Sequence, residues 1–122
     1  MLERIKMWIA RRRRKPLNQL LAVEFDDREI RVIVLERLDP AWNQAFEWSN
    51  IRRVCFKDGG MWDSDYVYIS LREPDVVRTI PTEARGGSEF FGALCDKGFF
   101  PEQVWRRAVG ETGGGMYCWP EN

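Results

Sequence analysis

Between residues 20 and 80 lie six short runs rich in β-branched, aromatic and other apolar residues, separated by polar turns that carry Asp, Asn, Gly or Pro. Short runs at intervals of about ten residues, joined by tight turns, are the signature of an antiparallel meander bent into a barrel or sandwich. Strands are expected over residues 20–25, 30–35, 43–48, 53–57, 66–71 and 76–80. The stretch from Phe46 to Leu71 frames this sheet, with Trp48 closing one strand and Tyr66 and Tyr68 opening another.

The run Ile30-Arg31-Val32-Ile33-Val34-Leu35 is apolar on both faces. A strand with one side in water alternates cleanly, so the outer side here is expected to be covered, by another part of the chain in preference to a second subunit. The period changes at Pro81. Ser88 is placed to cap a helix running to about residue 97, with Phe90, Phe91, Leu94 and Cys95 on its apolar side and Gly98 ending it. Pro101 opens a second helix with Val104, Trp105 and Ala108 inward. After a Gly-rich connector, residues 116–119 read as a last strand that pairs with an open sheet edge.

Net charge is zero, but its distribution divides the chain. Residues 1–16 carry seven basic side chains against one acidic, so the remaining residues carry twelve against eighteen. The domain division is therefore a basic amphipathic arm, residues 1–16, and one domain, residues 17–122. Leu2, Ile5, Trp8 and Ile9 form a helical stripe, while Arg11, Arg12, Arg13, Arg14 and Lys15 ring the whole circumference. So short an amphipathic segment needs a surface to fold on. The body of the protein is the first such surface, and an anionic membrane is the second, because Lys and Arg beside an apolar stripe make an interfacial helix. Nucleic acid is disfavoured by the acidic body. No apolar run approaches the roughly 18 residues of a membrane span.

Catalysis finds little support. His is absent, so Ser49, Ser64, Ser70 and Ser88 lack the usual general base. Cys55, Cys95 and Cys118 include no closely spaced pair; they read as three structural thiols in a reducing compartment. The loop acids Asp58, Asp63 and Asp65 lack the spacing of a calcium loop and read as solvated. Neither Gly86-Gly87 nor Gly113-Gly114-Gly115 is followed by the Lys-Ser or Lys-Thr of a phosphate-binding loop. No metal, cofactor or catalytic residue is assigned. Trp62, on the Gly- and Asp-rich loop, is the aromatic least explained by a core, and it joins Trp8 and the basic cluster as a candidate contact residue.

The residues Phe25-Asp26-Asp27-Arg28-Glu29-Ile30-Arg31-Val32, then Phe46-Glu47-Trp48 with Ile51 and Val54, then Asp65 leading into Tyr66-Val67-Tyr68-Ile69, then Ile80-Pro81 and Ser88 through Leu94, together resemble the pleckstrin-homology-like (PH-like) domains of small bacterial proteins. The resemblance spans about residues 18–119. It implies an α+β fold: a bent antiparallel barrel of six to seven strands, plugged by a C-terminal helix, used as a scaffold for phosphoinositides, peptides or proteins. Here an extra short helix and the basic arm are added. The first hairpin turn, Asp26-Asp27-Arg28-Glu29, would repel phosphate, which argues against a phosphoinositide site there. The function expected is a non-catalytic protein-interaction module, working as a homodimer or with an unknown protein partner. The alternative is a peripheral membrane adaptor held by the arm. The expected location is cytoplasmic or peripheral to the inner membrane.

Overall fold

The computed structural model describes residues 16–59, 65–110 and 115–121. A single helical turn, α1 (Leu17–Leu20), leads into β1 (Leu21–Phe25), β2 (Glu29–Val34) and β3 (Gln44–Glu47). A 3-10 turn, Trp48–Asn50, passes the chain to β4 (Ile51–Lys57), β5 (Tyr66–Leu71) and β6 (Val77–Pro81). Two helices follow, α2 (Gly87–Asp96) and α3 (Glu102–Gly110), before β7 (Met116–Trp119). The fold is α+β, with one antiparallel sheet ordered β1-β2-β3 and another ordered β6-β5-β4-β7.

The strands form where period-two alternation set them. Leu21, Val23, Ile30, Val32 and Phe46 fill the core from the first sheet, and Val54, Phe56, Val67, Ile69, Leu71 and Ile80 fill it from the second. Phe90, Leu94, Phe100, Val104 and Ala108 of the helical region close the same core. Burial of this kind contributes roughly 25 cal/mol per Å² of apolar surface and is the main force holding the layers together.

The expected barrel is corrected to two sheets that do not close on each other. The reason lies at β4. Its two neighbours are β5 and β7, so the edge that closure would offer to β3 is already occupied by the last strand. At the opposite seam a short parallel bridge, Ala22 to Arg85, is the connection. There Val23 N–H donates to Arg85 O at 2.6 Å and Arg85 N–H donates to Leu21 O at 2.9 Å.

That bridge also relocates the start of α2. Ser88 is exposed and caps nothing; the cap position is Gly86, at φ 79°. A Cβ on Gly86 would stand 2.3 Å from the Val23 carbonyl oxygen, so the left-handed turn and the close approach to β1 both require glycine. At the other end the expectation holds. Gly98 takes φ 84°, and Phe99 N–H reaches back to Leu94 O at 2.9 Å, which satisfies a terminal carbonyl of α2.

The outer side of β2 is covered only in part. Ala22, in register with Ile33, is buried beside the Arg85 bridge, Ile33 is half-buried, and Leu35 is 40% exposed. The cover that reaches this side, at Ala22, comes from the connector between β6 and α2. Residues 1–15 of the arm fall outside the described residues.

The first hairpin turn is built by one carboxylate. Asp26 Oδ1 accepts from both Arg28 N–H and Glu29 N–H at 2.8 Å, the local turn that Asp favours. These backbone bonds, from Glu29 and then Arg28, hold the Asp26 carboxyl below its ordinary value of 3.8. A carboxyl lowered in the folded state stabilises fully above its unfolded pKa and ceases to do so as pH falls through the lower, folded value. Protection of the Arg28 and Glu29 amides from exchange is therefore expected to fall only below pH 3.8. Asp26→Asn should abolish that dependence; an Asp26 carboxyl that titrates at or above its ordinary value in a carbon-detected NMR titration would refute the assignment.

Candidate functional site

The residues singled out as contacts, Trp8, Arg11, Arg12, Arg13, Arg14, Lys15 and Trp62, all lie outside the described residues, as do Asp63 and Ser64. The two other loop acids are not solvated in the manner expected. Asp58 is 8% exposed and its N–H donates to Gly115 O at 3.0 Å. Asp65 Oδ1 accepts from Gly59 N–H at 2.9 Å, and its carbonyl accepts from Thr82 N–H at 3.1 Å. Both serve to tie the ends of β4, β5 and β7 together. Among the described residues no group of three His, Cys, Asp or Glu side chains is arranged to hold a metal ion, and no helix is long and apolar enough to cross a membrane.

The reading of three free thiols is corrected. Cys55 and Cys118 stand opposite each other in the β4–β7 register and form a disulfide across 63 residues of sequence. Two cysteines so far apart carry no local spacing signal, which is why the pair is invisible until the strand register is known. Cys95 is free and half-buried, and burial, assisted by the charge of Asp96, pushes its thiol up. A raised pKa makes it a poor nucleophile.

The feature with chemistry of its own lies between β3 of the first sheet and β6 of the second. A groove of about 440 Å³ is walled by Ala45, Phe46 and Glu47 of β3, by the turns at Ser49-Asn50 and Glu73-Pro74, and by Leu71 and Arg78 of the second sheet. Three consecutive β3 residues line it. Side chains of a strand alternate in direction, so consecutive residues share a groove only when it runs along the strand's edge.

Hydrogen bonding identifies that edge. Trp48 N–H donates to Arg28 O at 3.1 Å, continuing the β2–β3 ladder in which Ile30 faces Phe46. Bonded pairs recur every second residue in an antiparallel ladder, so the backbone groups of Phe46 turn toward β2 and those of Ala45 and Glu47 turn away from it. On β6, Leu71 N–H donates to Val76 O at 2.9 Å, and by the same alternation Val77 and Thr79 present their backbone groups away from β5.

Arg78 is the residue sequence reasoning passed over. Positions 76, 78 and 80 share one side of the strand; Val76 packs on the core and Ile80 is buried. A signal was present: an arginine at an inward position of an alternating strand. The Arg78 Nε is buried and, among the described residues, has no hydrogen-bond acceptor. Of the acids on the groove wall, Glu47 is held by Arg28 at 2.8 Å, while Asn50 grips only the backbone of Glu73, through bonds of 2.8 and 3.0 Å.

The outer face of the second sheet carries Tyr66 and Tyr68, whose rings stack 6.5 Å apart, together with exposed Met116 at the β7 edge. Exposed apolar residues spread over a sheet face are ordinary for a soluble domain and carry no site by themselves. No family model, no curated protein and no solved structure matches this chain.

Proposed function

We propose that the chain is a non-catalytic protein-interaction module of PH-like architecture whose contact site is the groove between β3 and β6. The observation that carries this reading is Arg78, which lines the groove and whose buried Nε has no acceptor among the described residues. A buried donor with no partner costs about 1–3 kcal/mol, more when the group is charged, and such a cost is retained where a ligand supplies the missing acceptor. Support for the PH-like part comes from the strand and helix order: two antiparallel sheets, then a helix packed on the core through Phe90 and Leu94.

The test is capture from source cells with the full chain and two variants as bait. Ser49→Trp fills the groove from an exposed wall position, and Met116→Glu alters β7, the edge of the second sheet opposite β6. A partner lost with the first variant and kept with the second is the expected result. If the partner is a second copy of this chain, light scattering will show a dimer that Ser49→Trp dissociates. Capture unaffected by Ser49→Trp, or no capture at all, overturns the reading.

A further inference from the structure

We infer that the groove takes an extended peptide, which adds as a strand to the edge of β3 that no described strand occupies and delivers a carboxylate to the Arg78 guanidinium. This deepens the interaction-module reading and rests on it. The backbone N–H and C=O groups of Ala45 and Glu47 face away from β2, two residues apart, roughly 7 Å along the strand. That spacing is the repeat of an incoming strand's own hydrogen-bonding groups, and an unpaired edge is a template for strand addition. The groove runs beside that edge, so the incoming chain has room where it would have to lie.

Arg78 selects what the peptide carries. A guanidinium held in a groove calls for an anionic acceptor, and a carboxylate matches its planar pair of donors. Phosphate suits the same fork, but Glu47 and Glu73 stand on the walls, so a doubly charged group meets more repulsion than a singly charged carboxylate. Acid-bearing peptide is therefore the occupant argued for, with the β3 edge fixing its register and Arg78 fixing one side chain.

Two matched libraries of end-blocked hexapeptides test this, one with Glu and its twin with Gln at the third position, titrated by fluorescence anisotropy into the full chain. The Glu library is expected to bind about tenfold more tightly, the worth of one charge-assisted hydrogen bond. Arg78→Gln should erase that preference. Ala45→Pro removes one outward N–H while leaving the β2 ladder intact, and should weaken both libraries. In the free protein, Arg78→Met should raise the denaturation midpoint, because it removes a buried donor that has no acceptor among the described residues. Equal binding of the twins, a preference that survives Arg78→Gln, or a midpoint lowered by Arg78→Met each overturns the inference. Displacement by inorganic phosphate combined with indifference to Ala45→Pro would mean a small-anion site and overturns the peptide. If Ser49→Trp abolishes capture while the twins bind equally, the module reading stands and this inference falls; capture unaffected by Ser49→Trp brings down the module reading itself.

Discussion

Replacing Trp48 by Ala is expected to remove about 3–5 kcal/mol for the lost aromatic side chain and about 1 kcal/mol more for its hydrogen bond, against a total stability of about 5–15 kcal/mol for a domain. Trp48 is 5% exposed, at the joint where the chain leaves the first sheet for the second. Its ring lies 5.9 Å from Phe25, 5.8 Å from Phe90 and 5.9 Å from Phe99, the last nearly parallel, with Lys97 Nζ 4.9 Å above it. Its Nε1–H donates to the Asp26 carbonyl at 2.7 Å. One side chain thus ties the first hairpin, the turn between sheets and the end of α2. Trp48→Phe keeps most of the ring contacts and loses the donor, so its cost should be well under half as large. Urea denaturation followed by circular dichroism measures both; a Trp48→Ala loss below about 1.5 kcal/mol, the cost of an ordinary surface-to-boundary change, would mean the joint is held elsewhere.

Loss of the Cys55–Cys118 disulfide is the second large effect. A cross-link spanning 63 residues removes loop entropy from the unfolded chain worth roughly 4 kcal/mol in the chain-entropy treatment. Reduction is not expected to unfold the protein outright, because β7 keeps its ladder with β4, and Ala108 and Val104 of α3 stay buried in the core. The denaturation midpoint should drop by an amount equivalent to that figure on adding reductant, and Cys55→Val with Cys118→Val should reproduce it. An unchanged midpoint with and without reductant would show that the cross-link contributes nothing. Disulfides persist in oxidising compartments and are rare in the cytosol, so the cytoplasmic expectation loses the support it drew from three free thiols.

The strands were legible because each carries its own period: Tyr66 to Leu71 alternates, and its buried members are Val67, Ile69 and Leu71. Gly98 and Pro101 marked helix ends for local reasons that the structure retains. What could not be read is what depends on partners distant in sequence. Gly86 is required by the Val23 carbonyl, some sixty residues earlier, and no local pattern shows that contact, so Ser88 took the cap in its place. Closure failed for the same reason, since the sequence marked residues 116–119 as a strand without stating that β4 would receive it. The candidate site was half legible. Arg78 on the inward side of β6 could have been found from the alternation alone, whereas the open edge of β3 needed the topology.

The insertion of β4 between β5 and β7 also sets an order of events during synthesis. The β4–β5 hairpin can form as soon as Leu71 has left the ribosome, but the other side of β4 waits for Trp119. Through that interval the emerging chain displays a seven-residue strand with an unsatisfied side, the kind of surface that captures neighbouring nascent chains. Pairings between residues so far apart in sequence are also the slow ones. Cys55 waits equally long for Cys118, so the cross-link forms only once the last strand has been made.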